Sequence, residues 1–364
     1  MAKQPHELDF LPPQVDYSKL IRSIGEANRA LGELKGLLAN IPNPSLLTTP
    51  LLTKEAVASS KIEGTQATIE DVFKYEAAGK FAESDSKEQD IWEIINYRKA
   101  VRFAIDLLEK RPIGENFIKQ LHAILLDSVR GANKDKGNFR RVPVFIGKAG
   151  ATIENAIFVP PSPDKLSALS SNWEKYINNE EEPDVLVQTA IAHYQFEAMH
   201  PFLDGNGRIG RLLIPIILYQ KQVLSYPLLY VSDYFENNRD DYYAFLRLVD
   251  EEKDWEAWIK YFLDAVKIQA IDTQAKVTSM LNLYKTAKEK LLLLNSQFAI
   301  ALLDIIFESP IISFSTIKEK IHASSNQTIY NLLSKFQEAG LLREVTGGKR
   351  NKVYVFDELM KILR

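Results

Sequence analysis

The segment HYQFEAMHPFLDGNGRIGRLLIPIILY, residues 193–219, concentrates side chains that can do chemistry on a phosphate ester. It holds a histidine, a carboxylate, a Gly-Asn-Gly turn and two arginines close together in the chain. Each of these features is common in structural roles by itself, and it is their coincidence that indicates a site. The residues concerned are His200, Asp204, Gly205, Asn206, Gly207, Arg208 and Arg211.

The backbone predicted for this segment is a loop between two helices. Pro201 disfavours helical geometry at the residue before it, so the first helix should end near His200. A loop over 202–206 follows, and the second helix starts around Gly207. Such a junction offers unpaired backbone N–H groups at the positive end of the macrodipole, which together bind anions. Glycine here lets the backbone approach the anion without an intervening side chain.

The charged side chains indicate which kind of anion would bind at this junction. Arg208 and Arg211 lie three residues apart and share one face of the second helix. Two guanidinium groups beside free N–H groups suit a polyphosphate better than a single carboxylate. Phosphate would repel Asp204 unless a cation lay between them, and a Mg²⁺ ion removes that conflict. The His200 imidazole is suited to taking a proton near neutrality. The pattern predicts a nucleotide, a metal and a general base at one site.

The stretch HPFLDGNGRIGR, from His200 to Arg211, matches every fixed position of HPFx(D/E)GNGRxxR, the motif of the Fic family. The resemblance extends over residues 10–265. It implies that the imidazole deprotonates a Tyr, Thr or Ser hydroxyl of a target protein. That oxygen attacks the α-phosphorus of ATP in line, and pyrophosphate leaves. For the other positions it implies that Asp204 holds Mg²⁺, the 205–207 backbone forms the anion hole, Arg208 grips the phosphates and Arg211 reaches the γ-phosphate.

Two further segments resemble parts of the same family. VFIG at 144–147 and FVPP at 158–161 are similar to the strands of a hairpin, the flap, which implies that a target segment binds there as an added strand. Val144 and Gly147 of the flap are candidates for contact with the nucleotide. DYFENNRDDYYAFL, 233–246, resembles the segment that lines the adenine pocket, with Asn238, Tyr242 and Tyr243 as candidates. Some members carry asparagine where this chain has Asp250.

The segment TKEAVASSKIEGT, 53–65, contains a candidate inhibitory element. Glu63 precedes Gly64, which is typical of a helix C-terminus. A carboxylate there faces the negative end of the macrodipole and should be retained where a cation compensates it. Ser59 and Glu63 fit (S/T)xxxE(G/N), which resembles the inhibitory motif of the Fic family. The resemblance implies that Glu63 pairs with Arg211 and prevents productive binding of the ATP γ-phosphate.

Apolar residues at helical spacing predict a mostly α fold: a Fic-type helical core with a small β-hairpin flap and a C-terminal winged helix-turn-helix. Helices are expected over 17–39, from near Thr53 to Gly64, and over 89–110 and 116–129. The predicted domains are an N-terminal helical region at 1–90, a catalytic core at 91–265, a linker helix at 266–292 and the winged helix at 293–364.

The C-terminal region poses a separate question about partners. NQTIYNLLSKFQEAG, 326–340, would be the recognition helix and GGKRNK, 347–352, the wing. The helix offers no arginine, and the basic residues concentrate in the wing as Lys349, Arg350 and Lys352, so affinity for nucleic-acid phosphates should be weak. DNA binding and a role in protein contacts or homodimer formation both remain open.

Composition agrees with a globular protein that works away from membranes. The chain has 364 residues, 46% hydrophobic and 26% charged, with a net charge of -3. That charge gives no general attraction to nucleic acid or anionic membranes. Cysteine is absent, which suits a reducing cytoplasm. We see no signal peptide and no apolar stretch long enough to span a bilayer, so a cytoplasmic location is expected.

Four alternatives stay open. His193, Glu197 and His200 share a helical face, and with Glu319 and His322 they superficially resemble a paired metal signature of a hydrolase. A nucleotide-sensing transcriptional regulator is a second alternative, although sensing needs no base. Within the family, transfer from another phosphate donor and de-AMPylation, with the inhibitory glutamate activating water, are also compatible with the motif.

Overall fold

The computed structural model describes residues 4–39, 41, 43–79, 84–127, 129, 134–147, 150–292, 296–321, 325–347 and 352–364. Helices dominate these ranges, and the strands are short. The predicted mostly α fold is confirmed. None of the helices in the described ranges combines the length and the apolar content that a bilayer crossing demands.

Four helices build the described N-terminal region after a short 3-10 helix at Tyr17–Lys19. They are α1 (Ile21–Leu38), α2 (Ser45–Ile62), α3 (Ile69–Ala78) and α4 (Asp85–Leu108). The predicted start of α2 near Thr53 was wrong, because the helix begins at Ser45 and runs through Pro50. Proline removes one helical hydrogen bond. Side chains on nearly all sides of α2 are buried, and this packing outweighs the loss.

Helices α5 to α10 surround the predicted site. They are α5 (Glu115–Leu125), α6 (Leu166–Asn178), α7 (Val185–Met199), α8 (Asn206–Gln220), α9 (Ser232–Asn237) and α10 (Arg239–Glu252). Buried residues occupy almost every position of α7 and α8. A helix that is apolar all round belongs in a core. The loop at 200–205 that joins these two helices is therefore anchored in the core at both ends.

The predicted flap lies between α5 and α6 and is smaller than a full hairpin. In its described residues, Ile146 and Phe158 form one antiparallel bridge with N···O distances of 2.8 and 3.1 Å. Residues 148–149 lie outside the described ranges. Pro143 and the 160–161 proline pair flank the bridge and lack the N–H groups that a longer ladder needs.

The helix α11 (Trp255–Leu292) is continuous. The predicted boundary between a core ending at 265 and a linker at 266–292 falls inside this helix, and the domain division stays a prediction. The α1 helix runs beside α11, and the Gln274 side chain donates to the Ala30 carbonyl at 2.8 Å.

The C-terminal region contains α12 (Ala299–Glu308), β1 (Ile311–Ser313), α13 (Phe314–Lys320), α14 (Asn326–Glu338), β2 (Arg343–Glu344), β3 (Val353–Val355) and α15 (Asp357–Leu363). The sheet is antiparallel with the order β1-β3-β2. The predicted three helices and hairpin are present, and β1 and α15 are additions. The winged-helix interpretation stays a prediction, because Lys349 and Arg350 of the wing lie outside the described residues.

The C-terminal region contacts the helix that carries Ser59 and Glu63. At the start of α2, Ser45 Oγ donates to Glu308 Oε1 at 3.0 Å. The Arg364 guanidinium donates to Glu70 Oε1 of α3 at 2.7 Å. The C-terminal region thus contacts both α2 and α3.

Candidate active site

His200 ends α7 in a left-handed conformation, with φ 47° and ψ 60°. For a residue with a Cβ this backbone costs about 1 kcal/mol or more and persists only where neighbours hold it. Arg140 Nε donates to the His200 carbonyl at 2.9 Å, and the Arg140 N–H donates to Pro201 O at 2.8 Å. The Glu197 carbonyl lies beside the His200 ring and raises its pKa, against the lowering by burial.

The loop from Phe202 to Asn206 is closed by its own side chains. Asn206 Oδ1 accepts from the Phe202 N–H at 2.8 Å, and its Nδ2 donates to the Phe202 carbonyl at 2.9 Å. His122 Nδ1 accepts from the Gly137 N–H at 2.9 Å, so its other nitrogen, 3.0 Å from Asp204 O, is the donor. The His122 ring stacks on Phe202 with centroids 3.7 Å apart. The loop is therefore fixed before any ligand arrives.

The N-terminus of α8 has the geometry predicted for an anion site. Gly205 is its N-cap, with φ 75°, a conformation that favours glycine. The side chain of Asn206 is turned to Phe202, so it is the backbone N–H groups of the first turn that remain for an anion. A Cβ at Gly207 would lie 2.3 Å from Glu63 Oε1 and 2.8 Å from Arg211 Nη1. Position 207 therefore faces the charged groups, and a side chain there would have to displace Glu63 or Arg211.

The predicted ion pair between Glu63 and Arg211 is confirmed, with Glu63 Oε1 2.6 Å from Nη2. Arg211 also donates through Nε to Ser59 Oγ at 3.0 Å and through Nη2 to the Ser59 carbonyl at 2.9 Å. Its side chain is 1% exposed, while that of Glu63 is 37% exposed. α2 thus occupies the arginine that was predicted to reach the γ-phosphate.

Arg208 is occupied by carboxylates as well. Its Nη1 lies 3.1 Å from Glu93 Oε2, and its Nη2 lies 3.6 Å from Asp204 Oδ1. The Arg208 side chain is 4% exposed and that of Glu93 is 6% exposed. Both arginines of the motif are therefore held by acidic groups in this structure, and phosphates would have to share or displace those partners.

The electrostatics leave a neutral imidazole beside charged partners. Burial, together with the Arg140 charge, lowers the pKa of His200 to about 4, so the imidazole is unprotonated at neutral pH. Burial alone would raise the pKa of Glu63, but Arg211 outweighs it and the pKa lies below its ordinary value. Burial raises the pKa of Glu197, one turn before His200, to about 7.

The described residues fit a Mg²⁺ ion shared with substrate phosphates, and they do not fit a metal held by several protein side chains. Among the described residues, no three His, Cys, Asp or Glu side chains are grouped closely enough to form a metal cluster, and His322 lies outside those residues. A Mg²⁺ ion needs less from the protein, because it is held by one or two carboxylates together with substrate phosphates and water. Asp204, 41% exposed at the rim of the anion site, supplies such a carboxylate.

The adenine candidates are divided between the core and a cleft. Tyr242 is 1% exposed, and its hydroxyl lies 2.9 Å from His193 Nε2. Asn238 donates its side-chain N–H to the Tyr234 carbonyl at 2.9 Å. Tyr243 alone of the three lines a cleft beneath the flap. From the flap, the residues lining that cleft are Ile146, Ile157 and Phe158, and not the predicted Val144 and Gly147.

Sequence reasoning assigned no role to His122, Arg140 or Glu93. His122, from α5, holds the loop through the Asp204 carbonyl. Arg140, from the segment before the flap, holds the His200 carbonyl. Glu93, from α4, pairs with Arg208. No spacing pattern connects them with the motif.

Comparison with known proteins agrees with this geometry. The model of the Fic/DOC family N-terminal region matches residues 21–106, and the model of the Fic/DOC family matches residues 112–218. A curated relative from Drosophila grimshawi, named Protein adenylyltransferase Fic, is 30% identical over 181 residues. The alignment covers 48% of this chain and 33% of that protein. The chain thus spans about a third of the length of the curated relatives it matches.

Solved structures show the same fold. A Fic family protein from Desulfovibrio desulfuricans G20 superposes with a TM-score of 0.63 and 20% identity, covering 95% of this chain and 98% of that one. Fic-1 from C. elegans superposes with a TM-score of 0.55 and 20% identity, covering 74% of this chain and 76% of that one. The first of these extends the likeness to nearly the whole chain.

Proposed function

The chain belongs to the Fic/DOC family, and we propose that it transfers AMP from ATP to a Tyr, Thr or Ser hydroxyl of a target protein. One observation carries the proposal: a neutral His200 stands next to a helix N-terminus that presents free N–H groups and two buried arginines. A site that only binds phosphate needs no base.

The reaction proposed for this geometry is an in-line displacement at the α-phosphorus. His200 takes the proton of the target hydroxyl as the oxygen bonds to phosphorus and the bond to pyrophosphate breaks. The α8 N–H groups and Arg208 hold the charge on the phosphates, and Arg211, once free of Glu63, holds the γ-phosphate. Asp204 would hold Mg²⁺, which supplies charge neutralisation on the phosphates when bound.

The target segment is proposed to lie along the flap. Phe145, Ile146 and Ile157 are 42%, 37% and 43% exposed there. Around the bridge, backbone groups of this edge can pair with an extended peptide. Exposed apolar side chains beside such an edge favour a protein partner over a small polar acceptor.

The test is transfer of label to protein from α-labelled and from γ-labelled ATP. The Glu63→Gly chain should transfer the α-label, with release of pyrophosphate, and should leave the γ-label in solution. Mass spectrometry of the labelled band then gives the target residue. Transfer of the γ-label would show that the site is a kinase. Labelled protein that loses free AMP on further incubation would favour de-AMPylation by the same site.

The pH dependence follows from the pKa of His200. Because this pKa is lowered to about 4, kcat/KM, which reports the free enzyme, should stay level from about pH 8 to about pH 5 and fall below it. Bound triphosphate adds negative charge and raises the pKa, so the acid limb of kcat should lie at higher pH. Rates of pyrophosphate release by the Glu63→Gly chain, recorded across this pH range, measure both kcat/KM and kcat. An acid limb of kcat/KM at the ordinary value for histidine would contradict the assignment.

Gly207→Ala tests the anion site without changing any charge. Its Cβ would lie 2.8 Å from Arg211 Nη1 and would stand in the path of the phosphates. In the Glu63→Gly chain we expect kcat/KM to fall by about 100-fold, the effect of a small misplacement of a reacting group. Gly25→Ala, in α1, is the matched control because its Cβ meets nothing within 4 Å. Equal rates for the two variants would show that phosphates do not bind at this turn.

A further inference from the structure

A buried contact joins the segment after Glu63 to the active-site motif. Thr65, two residues beyond Glu63, donates from Oγ1 to Glu93 Oε2 at 3.1 Å. The same Glu93 oxygen lies 3.1 Å from Arg208 Nη1. Thr65 is 3% exposed and Glu93 4% exposed. Glu93 therefore touches both the segment that ends the inhibitory helix and an arginine of the motif.

The position of the Arg208 guanidinium is set by charge. Glu93 Oε2 lies 3.1 Å from Nη1 as an ion pair without hydrogen-bond geometry, and Nη2 lies 3.6 Å from Asp204 Oδ1. Of the two carboxylates, Glu93 is therefore the nearer partner of the buried guanidinium. Asp204 is the carboxylate with which Mg²⁺ would bind, and it is 41% exposed. The distance between Arg208 and Asp204 Oδ1 is longer than a hydrogen bond. That oxygen accepts from the Gly205 N–H at 2.6 Å, so it is mainly the second carboxylate oxygen of Asp204 that is left for a cation.

We propose that Glu93 is a positioning residue: it holds Arg208 back from Asp204, so that Asp204 can accept Mg²⁺ while Arg208 meets the phosphates. This inference rests on the proposed function. Without the Glu93 charge, the enclosed guanidinium would have Asp204 as its nearest carboxylate and would move onto it, because an uncompensated buried charge is strongly destabilising. Arg208 would then compete with Mg²⁺ for that carboxylate.

The experiment compares ATP binding with and without Mg²⁺, using a fluorescent ATP analogue and the full chain carrying Glu63→Gly. The ratio of the two dissociation constants measures how strongly Mg²⁺ supports binding. Glu93→Gln should reduce this ratio about tenfold, equal to about 1.4 kcal/mol. It should also raise the Mg²⁺ concentration that gives half-maximal pyrophosphate release. Thr65→Val, which removes only the hydroxyl donor to Glu93, should act in the same direction with about a twofold effect.

Asp90→Asn is the matched control. Asp90 lies one turn earlier on α4 and accepts from the Gln66 N–H at 2.8 Å, so it holds the same segment by another contact. A fall in the Mg²⁺ ratio for Glu93→Gln but not for Asp90→Asn supports the proposal. Equal ratios in all variants would overturn it, and Thr65→Val decides the matter if Glu93→Gln fails to fold. A parent chain that binds no ATP would overturn the proposed function together with this inference.

Discussion

Replacing His200 by alanine should abolish AMP transfer while leaving ATP binding in place. Proton removal by a positioned base contributes about 10²- to 10⁴-fold to a rate. Neither neighbour replaces the imidazole, because Arg140 is cationic and the buried Glu197 carboxyl lies against Gly210 of α8. In the Glu63→Gly chain we therefore expect His200→Ala to reduce labelling from α-labelled ATP by at least 100-fold.

The control for this prediction is to show that the substitution leaves the 200–205 loop folded. Arg140 binds the His200 carbonyl and not its ring, so alanine keeps that contact. His200→Ala should keep the affinity for ATP and the thermal midpoint of the parent chain within small changes. Transfer that survives the substitution would show that the proton leaves by another route.

Replacing Glu63 by glycine should raise transfer by about 10- to 100-fold. The estimate follows from the charge-assisted hydrogen bond to Arg211 at 2.6 Å, since such bonds contribute about 1.5–3 kcal/mol. Once Glu63 is absent, Arg211 keeps its bonds to Ser59 through Nε and one Nη2 hydrogen, and its remaining N–H groups become available to the γ-phosphate. Initial rates of pyrophosphate release at saturating ATP measure the gain.

Two further variants separate charge from backbone effects at a helix end. Glu109, like Glu63, is the C-cap of its helix, and it is exposed. Glu109→Gly should therefore leave the rate unchanged. Glu63→Gln keeps the shape and loses the charge, so its rate should lie between those of the wild type and Glu63→Gly. Equal rates for wild type and Glu63→Gly would show that Glu63 does not inhibit the enzyme, even though it forms an ion pair with Arg211.

The motif could be predicted from sequence because its chemistry is local. Pro201 ends α7, glycine at 205 opens α8, and the charged residues follow at helical spacing. The Glu63–Arg211 pair spans distant parts of the chain, yet it was predictable from family resemblance and from the misplaced charge at a helix C-terminus. Pairs of this kind leave a trace in sequence because one partner breaks a local preference.

The supporting residues could not be predicted, and the reason is physical. His122 and Arg140 hold the loop through backbone carbonyls of Asp204 and His200. A carbonyl is present at every residue, so these contacts impose no pattern on the loop sequence. Glu93 is one of several charged residues of α4, so its sequence alone does not mark it. Its burial against Arg208 depends on how α4 packs on α8. Tyr242 is an error of the opposite kind: it was predicted to contact the nucleotide, but its side chain is buried in the core.

The structure of the Glu63→Gly chain with Mg²⁺ and an ATP analogue, in which a methylene group bridges the α- and β-phosphorus atoms, tests the account most directly. We predict that the phosphates lie on the N–H groups at the start of α8, with the His200 ring facing the α-phosphorus and Arg211 turned to the γ-phosphate. A nucleotide bound away from that turn, or with its α-phosphorus beyond the reach of any hydroxyl held by His200, would contradict the account.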